Sequence, residues 1–97
     1  MNTPFAIVTG ASSGMGVEFA RQLAQRGYNL LIVSNEEAIH TRAEELQLAF
    51  PDLQVIGLVL DLGQQSSARE LYNYAHAHEL EVEVLVNNAG VYHDKDI

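Results

Sequence analysis

The chain is 97 residues long and 47 % hydrophobic, which bounds it at one small globular domain. Its 13 acidic residues against 5 basic ones give a net charge of −8, spread over Glu36-Glu37, Glu44-Glu45 and residues 79–83 as solvated helix faces; this argues against nucleic acid or an anionic membrane surface as a partner. The absence of cysteine excludes a disulfide, a thiolate nucleophile and a cysteine-ligated metal, and with no leader-like start or membrane-length apolar run the expectation is a soluble, cytoplasmic protein.

The first apolar run, Phe5-Ala6-Ile7-Val8-Thr9, reads as a strand over residues 5–9. It leads into Thr9-Gly10-Ala11-Ser12-Ser13-Gly14-Met15-Gly16 and then a helix over residues 15–25. Strand, glycine-rich turn and helix together are the context in which a glycine pattern implies a phosphate site. Gly10 can adopt the angles of a tight turn, Gly14 leaves room for the backbone to approach a pyrophosphate, and Gly16 lets the helix pack close to the strand. Free N–H groups of the first helical turn face the anion with the helix dipole behind them, and Ser12 and Ser13 add hydroxyl and N–H groups. Gly10-Ala11-Ser12-Ser13-Gly14 also fits G-x-S-x-G, the serine elbow of α/β-hydrolases. That alternative needs Asp61 or Asp94 as the acid and His76, His78 or His93 as the base.

Phe19, Ala20 and Leu23 share one face of the first helix, and Gly27 suits its C-terminal turn. A second strand over residues 29–33 ends in Ser34-Asn35-Glu36-Glu37. In a dinucleotide fold this strand end reads the adenosine ribose: an acid bonds the hydroxyls of NAD, an arginine accommodates the 2′-phosphate of NADP. Glu36 turned inward would repel that phosphate; otherwise Glu36 and Glu37 simply begin the next helix. The second helix, residues 37–49, spaces Ile39, Ala43, Leu46 and Phe50 along one face and ends at Pro51-Asp52. A third strand, residues 54–60, is apolar at successive positions, as a strand covered on both faces would be. Asp61-Leu62 follows it, with Gly63 as a modest helix cap. The third helix, residues 64–78, is expected to turn Ala68, Leu71, Tyr72 and Ala75 inward; its His76-x-His78 pair diverges and is helix surface, not a metal site. The fourth strand, residues 82–87, runs into Asn87-Asn88-Ala89-Gly90.

Strand–helix alternation with short connections implies an α/β fold with a doubly wound, Rossmann-like parallel sheet, truncated to four strands in order 3-2-1-4. The first two helices cover one face and the third the other. The order reverses between strands 1 and 4, and residues 10–16 and 87–90 meet there at the strands' carboxyl ends.

Three residues separate the first two glycines of the turn, where the commoner dinucleotide fingerprint has one. With this spacing, Asp61-Leu62 at a strand end, and Val84-Leu85-Val86 followed by N-N-A-G, the chain resembles the short-chain dehydrogenase/reductase family over nearly its whole length. The resemblance implies an oxidoreductase moving hydride between a nicotinamide and a carbonyl or alcohol. It implies a dinucleotide, NAD or NADP, on Gly10, Ser12, Ser13, Gly14, Met15 and Gly16, with Asn35 at the adenosine ribose. Asp61 and Leu62 would receive the adenine amino group, and Asn88, Ala89 and Gly90 would line the nicotinamide-side ribose. Asn87 and Asn88 also suit a second role, satisfying backbone groups of neighbouring strands. Asn35 stands where family members often carry Asp or Arg, and Ser13 where NADP-preferring relatives often carry a base. With Glu36 nearby, the segment points to NAD.

The family's catalytic Ser and Tyr-x-x-x-Lys have no counterpart here. Four residues after Tyr28, Tyr72 and Tyr74 stand Ile32, His76 and His78, and Tyr92-His93-Asp94-Lys95 brings its lysine one residue too close. Residues 1–97 are thus expected to be the N-terminal part of a dinucleotide-binding domain, inactive alone, or else a non-catalytic nucleotide-binding or assembly module. Val82, Val84 and Val86 would leave the fourth strand an apolar edge, and with one sheet face uncovered, self-association is expected there.

Overall fold

The computed structural model describes residues 3–12, 14–61 and 67–88. Alternating strands and helices follow in chain order: β1 (Phe5–Thr9), α1 (Gly14–Gln25), β2 (Asn29–Ser34), α2 (Ala38–Ala49), β3 (Val55–Val59), α3 (Ser67–Ala77) and β4 (Val82–Asn87). All strand pairs are parallel, in the order β3-β2-β1-β4 expected from the sequence. No described helix is long and apolar enough to cross a membrane.

β1 and β2 are apolar at successive positions because both their faces are buried. Ala6, Val8, Leu30 and Ile32 face α1 and α2, where they meet Ala20, Ala24, Ile39, Ala43 and Leu46. Phe5, Ile7, Leu31 and Val33 face the opposite side, where Leu71 of α3 packs on them. Gly57 sets how closely α2 lies on β3, since a Cβ there would stand 3.1 Å from the Ala43 Cβ and the Ile39 carbonyl oxygen.

Three packing expectations need correction. β3 is half-buried along its whole length, because it lies at the end of the sheet and not within it. In α3 the inward residues are Leu71 and Ala75, with Tyr74 half-buried, whereas Ala68 is exposed and Tyr72 is 71 % exposed. Ala68 and Tyr72, four apart, form their own stripe, centred about 60° around the helix from that of Leu71 and Ala75, and it is the latter that faces the sheet. On β4, Val84 and Val86 pack against the α1-side core; the exposed apolar residues are Val82 and Leu85.

Both α1 and α3 end in the same backbone device. Tyr28 N–H donates to the Leu23 carbonyl and Gly27 N–H to the Ala24 carbonyl, with Gly27 at φ +96°. In α3, Leu80 N–H reaches the Ala75 carbonyl at 2.9 Å and Glu79 N–H the His76 carbonyl at 3.1 Å, with Glu79 at φ +57°. Glu79 thus holds a left-handed conformation that glycine adopts without the steric cost. Glu79→Gly is expected to raise stability by about 0.5–1 kcal/mol, read as a higher thermal midpoint. A lower midpoint would mean that the glutamate side chain contributes more than its backbone costs.

Candidate functional site

Three loops meet at the carboxyl ends of β1, β2 and β4. The first leaves β1 at Thr9, whose side chain is buried, and turns through Gly10 at φ +66°. The Ala11 N–H donates to the Val33 carbonyl at 3.2 Å, which fixes the turn to β2. Gly14 opens α1 at φ +60°, and a Cβ there would meet nothing within 4 Å. Its requirement is therefore the backbone angle, and the space beside it is open for an approaching group. Gly16 differs: a Cβ there would run into the Gly10 carbonyl oxygen and stand 2.8 Å from Ala11 Cα. The start of α1 is pressed directly onto the turn, as the glycine spacing implies.

The first turn of α1 carries no acidic residue, so no side chain within that turn offsets the positive end of the helix dipole. Its leading N–H groups have no carbonyl partners inside the helix, and Met15 stands 66 % exposed beside them. Glycine-enforced approach, free N–H groups and open space suit the pyrophosphate of a dinucleotide.

The second loop follows β2. Ser34 is buried, and its hydroxyl accepts from the Glu36 N–H at 3.1 Å. The Glu36 side chain then reaches back to the glycine turn, where the Ser12 hydroxyl donates to Glu36 Oε1 at 3.0 Å. Glu36 is therefore turned inward. Glu37 plays the helix-start role, as the residue before α2, with its carboxylate 3.6 Å from the His40 ring. Asn35 is exposed between Ser34 and Glu36.

The third loop leaves β4. The Thr9 hydroxyl donates to Asn87 Oδ1 at 3.1 Å and lies 3.4 Å from the Val86 carbonyl oxygen. Asn88 Nδ2 donates to the Gly10 carbonyl oxygen at 3.2 Å. Asn88 thus fastens the end of β4 to the glycine turn through a backbone carbonyl, and Asn87 joins it to β1 through the Thr9 hydroxyl. Thr9→Val keeps the side-chain shape and removes the hydroxyl. It is expected to cost about 1 kcal/mol and to raise amide exchange in β4 before the other strands, measured by denaturation and hydrogen exchange.

Asp61 is exposed just past β3, beyond the Leu60 N–H that donates to the Ser34 carbonyl at 2.8 Å. Ser13, Leu62, Ala89 and Gly90 lie outside the described residues, as do Tyr92, His93, Asp94 and Lys95. The hydrolase alternative finds no support in the partner of Ser12, which is a carboxylate and not a histidine. His78 stacks on Tyr74 at 4.1 Å, beyond the end of α3. Among the described residues no group of three or more His, Asp or Glu could hold a metal ion.

Thr9 and Ser34 are the site residues that sequence reasoning passed over. Their one signal is position, a small hydroxyl residue at the last place of an apolar strand. There a buried hydroxyl must find a partner in an adjoining loop.

Residues 4–97 match the family described as short chain dehydrogenase. Over 94 residues the chain is 37 % identical to a very-long-chain 3-oxoacyl-CoA reductase of Aspergillus terreus, an overlap that covers 96 % of this chain and 27 % of that protein. Among solved structures it is similar to the L-sorbose reductase from Gluconobacter frateurii complexed with NADPH and L-sorbose, with TM-score 0.83, 25 % identity, and coverage of 93 % of this chain and 34 % of that one. It is also similar to the bulky-bulky ketone specific alcohol dehydrogenase from Comamonas testosteroni, with TM-score 0.77, 32 % identity, and coverage of 93 % and 37 %. The chain therefore spans about a quarter of the length of the curated relatives and about a third of the solved chains.

Proposed function

Because the chain belongs to the short-chain dehydrogenase family, we propose that it is the dinucleotide-binding part of an oxidoreductase that moves hydride between a nicotinamide and a carbonyl or alcohol. The support is geometric: the Gly10–Gly16 turn and the Asn87-Asn88 pair, far apart in sequence, are bonded together at the strands' carboxyl ends. The N–H groups at the start of α1, with the neighbouring Ser13, would take the pyrophosphate oxygens, and the Ser12 hydroxyl would turn from Glu36 to join them. Asp61 and Leu62 would receive the adenine amino group, Asn35 the adenosine ribose, and Asn88, Ala89 and Gly90 the nicotinamide-side ribose. When bound, the dinucleotide supplies or accepts the hydride. The proton that accompanies it needs a serine and a Tyr-x-x-x-Lys pair that residues 1–97 do not contain.

Of the two dinucleotides the reading favours NAD, because Asn35 and Ser13 offer no base to a 2′-phosphate. The relatives point the other way where their names specify a cofactor: the L-sorbose reductase is complexed with NADPH. Calorimetric titration of the chain with NADH and NADPH is the test. Saturable binding is expected without carbonyl reduction; no heat at millimolar cofactor would remove the proposal.

The same reading extends to assembly. Val82 and Leu85 are exposed on β4, which stands at the end of the described sheet. A second copy docking on that edge would cover them. Sedimentation velocity at micromolar concentration decides it, a monomer ruling it out.

A further inference from the structure

At the end of the sheet opposite the candidate site, the amino ends of the strands floor an open groove of about 930 Å³. The loop after α2 forms one wall and the loop after α3 the other, with Phe5 and Asn29, the first residues of β1 and β2, between them. Gln47 braces the first wall: its Nε2 donates to the Leu53 carbonyl at 2.6 Å and the Phe50 carbonyl at 3.3 Å, and its Oε1 accepts from the Val55 N–H at 3.1 Å. Asn29 joins that wall to the floor, its Nδ2 donating to the Thr3 carbonyl at 3.1 Å and its Oδ1 accepting from the Gln54 N–H at 2.8 Å. The second wall is held by the Leu80–Ala75 and Glu79–His76 bonds that close α3, and by the Phe5 N–H, which donates to the Glu81 carbonyl at 2.7 Å. The groove is therefore preformed, and a ligand entering it would not have to order its walls.

Two kinds of surface meet in it. Leu53 and Leu80 line it half-buried, and Leu48 beside them is 83 % exposed, the most exposed large apolar side chain among the described residues. The charged lining is acidic, with Asp52 on one wall, Glu79 and Glu81 on the other, and no lysine or arginine among the lining residues. The ion pairs of the described residues involve other acids, Glu18, Glu37 and Glu45, so none of these three is neutralised by one. His78, the remaining titratable group there, is engaged with Tyr74, its ring stacked on the tyrosine and its Nδ1 2.9 Å from the Tyr74 carbonyl oxygen. We propose that this groove docks a cationic amphipathic peptide segment, with an apolar side chain over Leu48, Leu53 and Leu80 and a lysine or arginine on either side reaching Asp52 and Glu81. Exposed charge pairs contribute little each, so the acids alone would hold no partner; the apolar contact is what selects a peptide over a free cation. A second copy of this chain is the wrong occupant, because at net charge −8 it brings acid against acid. The groove lies roughly 15 Å from the glycine turn, the length of the five-residue strand β1, and its occupancy does not depend on a dinucleotide.

The probe is a fluorescein-labelled peptide of Lys-Leu-Arg-Leu repeats, followed by fluorescence anisotropy with the full chain at low salt. Saturable binding is expected, about tenfold tighter than for the same peptide with serine in place of leucine. Asp52→Asn combined with Glu81→Gln is expected to weaken it about fivefold, and Leu48→Ser to weaken it by a similar factor, about fivefold. Glu44→Gln combined with Glu70→Gln removes the same charge outside the groove and is expected to change binding by less than about twofold. On adding the peptide, amide exchange should slow in residues 50–55 and 78–81 and not in α1. Equal weakening by the two charge-removing pairs would show attraction to net charge alone and overturn the proposal. So would the absence of saturable binding, indifference to the leucines, or slowed exchange confined to other segments. If the chain self-associates in sedimentation velocity and Leu48→Ser abolishes this, a second copy is the occupant and the proposal falls. The substituted residues are all exposed, so the variants are expected to melt with the parent, and the exchange measurement needs no variant at all.

Discussion

Gly16→Ala is expected to destabilise the chain by about 3 kcal/mol, a fall of roughly 15 °C in thermal midpoint, and to abolish dinucleotide binding in the fraction that still folds. A single added methyl does this because of what it would strike. Its neighbours would be the Gly10 carbonyl carbon at 2.8 Å, the oxygen closer still, and Ala11 Cα at 2.8 Å, all of them backbone. Flexible side chains move aside; these atoms are held by the Ala11–Val33 and Asn88–Gly10 hydrogen bonds. The remaining relief is for α1 to lift off the sheet, which strips Ala20 and Ala24 from their core contacts and re-aims the N–H groups at the phosphate turn. Gly14→Ala is the control. It meets no atom within 4 Å and bears only the strain of φ +60°, about 1 kcal/mol. Urea denaturation of both variants gives the comparison, and equal losses would show that the contact between turn and helix is looser than these distances.

Ile32→Ala should cost about 3–4 kcal/mol. Ile32 is fully buried in the middle of β2, on the face where β2 meets α1 and α2. The loss combines the transfer of the missing methyl and methylene groups with the cavity they leave, since β1 and β3 flank the strand and prevent collapse sideways. For a small domain whose total stability is about 5–10 kcal/mol, this is a large fraction. Leu31→Ala, one residue away on the α3 face, should cost a similar amount while loosening α3 and not α1. Hydrogen exchange separates the two, because protection should fall first in the helix that lost its partner.

The parallel sheet was legible because β1 and β2 are apolar at every core position, a pattern that only burial on both faces produces. Strand order followed from alternation and short connections. Finer packing was not legible where two stripes of similar hydrophobicity compete: Leu71 and Ala75 win the sheet over Ala68 and Tyr72, and nothing local to α3 ranks them. β3 reads as covered on both faces by composition yet is only half-buried at its end position in the described sheet, since apolar content reports the burial a segment favours and not the cover it finds. In the site, residue types named the glycine roles, and the structure adds direction. Glu36 could have pointed to solvent like Glu37; the Ser34 hydroxyl under its backbone and the Ser12 hydroxyl at its tip turn it inward. Two serines flanking a loop carry no pattern that distinguishes this from an ordinary turn.

The bonds from Thr9 to Asn87 and from Asn88 to Gly10 each span 78 residues. Contacts of such separation close the longest loops and are costly to form early in folding. β1, α1 and β2 can assemble from neighbouring sequence, but the wall of the crevice opposite β2 is raised only when β4 arrives. During synthesis, the turn near the start of the chain would therefore leave the ribosome long before it became competent to hold its ligand. The last strand described here acts as the clock for the first loop, and a dinucleotide arriving earlier would find half a site.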